Sequence, residues 1–158
     1  AVSMARHFGV TDDNIRYAVG EIAQVEHRLS IRRAPGGIVV IDDAYNSNPV
    51  GSSMALDVLA GMEGGRRVVV TPGMVELGDR TYELNNAFGK KIAQSADIAV
   101  IVCRYNRDAI IDGIKSQGMA AYAIYTVDTF AEAQKLLSTI LQAGDTVLYE
   151  NDLPDTFK

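Results

Sequence analysis

From residue 38 to residue 150 the chain repeats one pattern, and that pattern limits what it can fold into. Short runs of β-branched and aliphatic residues stand at IVVI (38–41), RRVVVT (66–71), IAVIVC (98–103), AYAIYT (121–126) and DTVLYE (145–150). The segments between them carry apolar residues at helical spacing. Met54, Ala55, Val58, Leu59 and Met62 share one face, and Leu84, Phe88, Ile92 and Ala96 share another. Ala109, Ile110 and Ile114 form a third face in a segment from about 106 to 116. Phe130, Ala133, Leu136, Leu137 and Ile140 form the fourth. A continuous apolar run suits a strand covered on both sides. A helix between successive strands makes the crossovers parallel. The expected fold is α/β, a mostly parallel sheet with helices on both faces.

The segment ahead of this pattern makes the sheet mixed. Leu29 and Ile31 alternate with Ser30 and Arg32, as in a half-buried strand, and APGG (34–37) is a turn signal. That strand and IVVI should pair as a hairpin. Residues 1–22 read as two short helices. The first is AVSMARHF, stopped by Gly9; the second opens at Thr11, a good N-cap, with Ile15, Ala18 and Val19 on one side. The chain starts in helical pattern without an initiator Met, which reads as a piece of something longer.

Composition removes several function classes. At 158 residues the chain has room for one domain with a sizeable core. A net charge of −5, with basic residues mostly in short pairs such as Arg66-Arg67 and Lys90-Lys91, argues against nucleic acid as a partner. No apolar run approaches the ~20 residues of a membrane helix, and no signal peptide is visible. The single cysteine, Cys103, rules out an intrachain disulfide and suits a reducing, cytoplasmic setting.

In an open parallel sheet, ligands meet the carboxyl ends of the strands. The end richest in chemistry is DDAYNSNP (42–49). Asn48 as a helix cap, Pro49 in the first turn and one Asp in a loop account for part of it. The rest suits a nucleotide. A carboxylate accepts hydrogen bonds from ribose hydroxyls, and a Tyr or Asn side chain lies flat on a purine or pairs with its edge. A phospho-acceptor receiver domain also opens with paired Asp residues. It needs an acid after the third strand and a Lys after the fifth, where this chain has IVCRYN and VLYEND. A haloacid-dehalogenase phosphatase needs D-x-D, which is absent, as are H-E-x-x-H, C-x-x-C and G-x-S-x-G. His7 and His27 have no partners legible in sequence. The polar loop TPGMVELGDR (71–80) follows the next strand, with Gly73 and Gly78 for tight backbone and Asp79 as a helix cap.

Taken together, these segments resemble the C-terminal domain of the Mur ligases, the ATP-dependent amide-forming enzymes of peptidoglycan assembly. EHRL (26–29) is similar to the segment leading into that domain. IDDAYNSNP resembles the family's D-D-[SA]-Y-N-A-N-P, and VVVTPGMVELGDRTYELNNAFGKKIA resembles its strand, Gly-Met-x-Glu-Leu-Gly loop and helix. The resemblance covers nearly the whole chain. It implies a Rossmann-like domain over 23–158, with 1–22 as the helical tail of a preceding central ATPase domain. The family's G-T-x-G-K-[TS] phosphate loop is not in this sequence. The expectation is therefore a third domain that is inactive alone and works with its own N-terminal and central domains.

The implied reaction is ATP-driven. In the branch that fits best, D-Ala-D-Ala is joined to UDP-MurNAc-tripeptide through an acyl phosphate, with Mg²⁺ held on the central domain. Carried over by position, Arg28 reaches the phosphates. Asp43 or Asp42 holds the ribose, and Tyr45 and Asn46 contact adenine. Met74 and Glu76, with Arg104 and Asn106, stand near the acceptor. No metal ligand is expected on this domain. One departure bears on the acceptor. Family members end their last strand V-L-[VL]-K-G-S, whereas this chain reads VLYEND, so Glu150-Asn151 replaces Lys-Gly and is expected to reverse the local charge. The alternatives are a Mur-like ligase with another amino-acid acceptor, or a non-catalytic nucleotide-binding module.

Overall fold

The computed structural model describes residues 1–23, 25–45 and 47–152. Two short helices open the chain, α1 (Val2–His7) and α2 (Asp12–Gly20), and Thr11 caps the second through the Asn14 amide. Then come β1 (Ser30–Ala34), β2 (Ile38–Asp43), α3 (Pro49–Ala60), β3 (Arg67–Thr71) and α4 (Thr81–Ser95). The chain continues with β4 (Ile98–Val102), α5 (Arg107–Ser116), β5 (Ile124–Val127), α6 (Phe130–Ile140) and β6 (Thr146–Glu150).

The six strands form one sheet in the order β1-β2-β6-β3-β4-β5. β1 is antiparallel to β2, and every other pair is parallel. This is the mixed, mostly parallel sheet that the sequence predicts. The placement of the helices follows from handed crossovers. From β2 to β5 the chain moves across the sheet in one direction, so α3, α4 and α5 share a face. The step from β5 back to β6 runs the other way, so α6 lies on the opposite face. Two cores result. Ile41, Leu56, Leu59, Val69, Ile92, Ile101, Ile110 and Leu148 lie under the three helices. Val68, Val70, Val100, Ala133, Leu137 and Val147 lie under α6.

The three-helix face is tight because α4 and α5 meet backbone to backbone. A Cβ on Gly89 would sit 2.1 Å from the Ile110 carbonyl oxygen, and one on Gly113 would sit 2.1 Å from that of Asn86. Only glycine fits at either place.

Several local expectations shift. Leu29 lies outside β1, in a turn with φ 52°. Residues 121–123 form a 3₁₀ turn before β5. In α3 the buried face is Ser52, Ala55, Leu56 and Leu59, and Met54 is exposed. The buried Ser52 is satisfied locally, its hydroxyl contacting the Asn48 carbonyl and the Met74 sulfur. A polar residue can therefore occupy an inward position that the apolar pattern leaves out. Phe130 is half exposed, its ring edge-on to Tyr149. Asn48 caps α3 as expected, accepting from Val50 and Gly51. Asp79 caps nothing. It sits inside a 3₁₀ turn over Gly78–Arg80, and Arg80 takes the N-cap position of α4 without a side-chain capping bond.

Candidate functional site

The last two residues of β2 face opposite ways, because side chains alternate along a strand. Asp42 emerges on the α6 side and Asp43 on the α3 side. Each grips the same turn from its own face. On one side His27 Nδ1 and Asp42 Oδ2 are 2.9 Å apart. On the other, the Leu29 amide donates to Asp43 Oδ1 at 2.8 Å. A third tie follows, as the Tyr45 amide donates to the His27 carbonyl at 3.1 Å. His27 and Leu29 both hold left-handed backbone, at φ 58° and 52°. Non-glycine residues keep that conformation only where the surroundings enforce it. Between them Arg28 lays its guanidinium over the Tyr45 ring, 4.4 Å from the centroid. Arg28 and Tyr45 are thus a single cation–π unit, mounted on a turn that β2 clamps. Asn46 lies outside the described residues.

The clamp borders a cavity of about 970 Å³ at the carboxyl edge of the sheet, on the α6 side. His27, Asp42 and Tyr45 line it from the clamp, and Arg32 from β1. Val70, Val102 and Tyr149 form an apolar floor, with Asp128, Thr129 and Gln134 on the far wall. Asp128 receives the guanidinium of Arg104 in two bonds, at 3.2 and 2.8 Å, and one from Arg107 at 2.8 Å. Those two guanidiniums hold its carboxyl well below the usual range. The cavity therefore carries both charge signs over an apolar base, which suits a polar ligand with a flat or aliphatic part.

Glu150 does not reverse the charge of this cavity, contrary to what the sequence implies. It ends β6 in register with Asp43, so it points to the α3 side, where it is 1% exposed. Its Oε1 accepts from the Ser47 hydroxyl at 2.6 Å, and Ser47 in turn contacts Ser52. Burial, with the Asp43 charge beside it, pushes its carboxyl up to about 7. Asn151 turns the chain with φ 68° and donates from Nδ2 to the Gly73 carbonyl at 2.6 Å, tying the end of β6 to the 71–80 loop.

The residues placed near an acceptor divide into two pairs. Met74 is buried, and Asn106 is spent on the backbone, with Nδ2 donating to the carbonyls of Pro72 and Met74 at 3.2 and 3.0 Å. Glu76 and Arg104 are exposed, Glu76 with φ 60°. Two residues that shape this edge are invisible in the sequence. Asn85 is fully buried in α4 and holds Met74 from both sides, accepting from its amide and donating to its carbonyl at 2.9 Å each. His27 stands next to Arg28, but its partner Asp42 lies 15 positions away, a spacing with no periodic signature. Among the described residues no group of three or more His, Cys, Asp or Glu could hold a metal ion. No helix among them is long and apolar enough to cross a membrane.

Comparison with known proteins adds a frame to this geometry. The family described as Mur ligase, glutamate ligase domain matches residues 27–149. The UDP-N-acetylmuramoyl-tripeptide–D-alanyl-D-alanine ligase of Escherichia coli K12 is 30% identical over 132 residues, covering 84% of this chain and 26% of the relative. The UDP-N-acetylmuramate–L-alanine ligase of Desulfosudis oleivorans is 28% identical over 155 residues, covering 94% of this chain and 34% of the relative. Among solved structures, the MurF ligase of Thermotoga maritima in complex with ADP superposes with a TM-score of 0.77 at 22% identity. That match covers 96% of this chain and 33% of the other, a likeness of fold. The chain spans between 21% and 37% of the length of the curated relatives it matches.

Proposed function

The chain belongs to the Mur ligase family, as its glutamate ligase domain, and from that premise we propose that it is the closing domain of an ATP-dependent amide ligase of peptidoglycan precursor synthesis. The proposed reaction joins D-Ala-D-Ala to a UDP-MurNAc-tripeptide. The observation that carries the proposal is the clamped turn, which holds Arg28 and Tyr45 together at the carboxyl edge of the sheet. A Mur ligase of this fold has been solved with ADP, which supports nucleotide use by the ligase that contains this domain.

In this reading a carboxylate oxygen of the tripeptide attacks the γ-phosphorus, the β–γ bridging bond breaks and ADP leaves. The acceptor amine then attacks the acyl carbon, loses its proton, and inorganic phosphate departs with the C–O bond. Charge grows on the transferring phosphoryl group, and an always-charged forked guanidinium suits it. Arg28 fills that role, with the Tyr45 ring keeping its plane fixed before ATP arrives. Asp42 is the carboxylate that lines the cavity and would meet ribose while keeping its contact with His27, and Asp43 holds the turn from the other face. Tyr45, with Asn46, would lie against adenine. Mg²⁺ supplies charge neutralisation at the phosphates, and we place its ligands, like the phosphate loop, on a central domain outside this sequence. Residues 1–22 are assigned to the tail of that domain, and the protein to the cytoplasm.

For the acceptor, Arg32 offers a cation to a terminal carboxylate, and Asp128 offers an anion to an ammonium group. With Glu150 turned away from the cavity, its charge does not meet a carboxylate-bearing dipeptide there. Glu76 and Arg104, exposed at the same edge, are placed at its approach. The test is steady-state kinetics on the ligase that contains this domain. Arg28→Ala should cut kcat by roughly 100-fold or more, the scale for losing one transition-state donor, with tripeptide binding kept. Unchanged phosphate release in that variant would overturn the assignment. A panel of acceptors that favoured a single amino acid over D-Ala-D-Ala would replace the substrate but keep the ligase.

A further inference from the structure

Glu150 and Asp43 end neighbouring parallel strands in register, so their side chains leave the sheet on the same face. Glu150 is almost fully buried there. Its Oε1 is satisfied by Ser47, but its Oε2 is buried with no ordinary donor. The groups facing it are Asp43 from β2, Ser47 from the loop after β2, and Ser52 from α3. Asp43 is the one charged group among them, and no cation lies in the set. Two carboxylates so placed cannot both ionise without a steep penalty, and a proton held between them satisfies the orphaned oxygen. Asp43 in turn accepts the Leu29 amide, inside the turn that carries Arg28.

We propose that Glu150 is a positioning residue that works as a neutral carboxylic acid, giving a hydrogen bond to Asp43 and through it fixing the turn that holds Arg28. The link to catalysis rests on the reading of Arg28 given above; the proton shared by the two carboxyls does not. Burial and the Asp43 charge place the ionisation of Glu150 at about 7. Raising the pH through that value puts a second negative charge beside Asp43. The Asp43 carboxylate is pushed away, and its grip on the Leu29 amide loosens. The ligase would then weaken on the alkaline side by losing the preset Arg28, with no loss of any group that touches substrate.

The experiment has two arms. In the first, the 158-residue chain is labelled with ¹³C at the glutamate side-chain carboxyls and with ¹⁵N, and is titrated by NMR. One glutamate carboxyl should titrate near 7, and the Leu29 amide should shift with the same midpoint. Glu150→Gln, which keeps a donor toward Asp43 at every pH, should abolish both transitions and leave the Leu29 amide protected. Glu150→Ala should speed hydrogen exchange at Leu29 by roughly tenfold or more, about the weight of one lost hydrogen bond. If every glutamate titrates near 4, or the Leu29 amide ignores the state of residue 150, the proposal is wrong. The second arm is the pH profile of the ligase containing this domain. Glu150→Gln should flatten an alkaline fall in kcat while kcat at pH 6 stays as in the parent. If the NMR arm holds and the kinetic profile does not change, the shared proton stands and the role of Arg28 falls.

Discussion

The two ends of β6 each bury a carboxyl, and the two are held in opposite states. At the start of the strand Asp145 is 2% exposed and surrounded by donors. Arg66 gives it a side-chain bond at 2.6 Å and a backbone amide at 2.9 Å, and Gln142 gives another amide at 2.9 Å. Burial alone would raise its pKa, but the Arg66 side chain and the two amides outweigh that and hold it below the ordinary value. At the end of the strand Glu150 is equally buried, with two hydroxyls and another acid for company, and its carboxyl goes up to about 7. The amino end of the sheet is thus fully satisfied and closed. The carboxyl end keeps a poised acid, a strained turn and an open cavity. Parallel sheets bind ligands at the carboxyl edge, and in this chain the unsatisfied chemistry gathers there.

The sharpest way to break the contrast is Asp145→Ala. It strands Arg66 and two part-buried amides, and should cost about 3 kcal/mol, a fall in Tm of roughly 6–12 °C by thermal unfolding. Because Asp145 is depressed in the folded state, its contribution is present above the ordinary Asp value and is lost as the pH falls below it. Asp145→Asn should therefore reduce the sensitivity of stability to acid.

Glu150 should give the opposite slope. Between 4.5 and about 7 the folded chain keeps a proton that the unfolded chain has lost. Stability from this group is therefore full below 4.5, falls as the pH rises and levels off above about 7, by on the order of 3 kcal/mol in all. Denaturant unfolding from pH 4.5 to 8 measures it, and Glu150→Gln should remove that slope.

Smaller effects refine the comparison. Asn151→Gly keeps the left-handed turn but loses the bond to Gly73, for about 1 kcal/mol; Asn151→Ala adds the backbone cost, for about 2 kcal/mol. Arg28→Ala, an exposed cation–π partner, should cost about 0.5–1 kcal/mol of stability by the same assay. A large loss there would make Arg28 a structural residue and weaken its proposed role in catalysis.

Much of the fold was legible in order along the chain. The strand runs, the helix periods, the APGG turn and the Asn48-Pro49 start of α3 are local signals, and apart from β5, which starts three residues late at Ile124, the strands and the start of α3 lie within a residue or two of their expected places. The site was legible in part. Arg28, Asp42, Asp43 and Tyr45 do converge, but their division of labour was not readable. Asn85 and Ser52 carry no periodic signal of burial and are buried, and Glu150 turns away from the cavity, which its sequence neighbours do not show because its partner Ser47 lies 103 positions back along the chain. His27 looked solitary for the same reason.

The sequence by itself determined the family, the α/β order and the strand ends where chemistry would collect, because periodicity, capping and motif spacing are written in neighbouring residues. Only the tertiary structure decided that Asp42 faces the cavity, that Asp43 faces a buried acid and that Glu150 points away from the cavity. Those outcomes depend on which strands lie side by side, and β2 meets β6 only after the chain has crossed the rest of the sheet. The buried, anion-bearing pocket that keeps a proton on Glu150 exists only once those strands have paired.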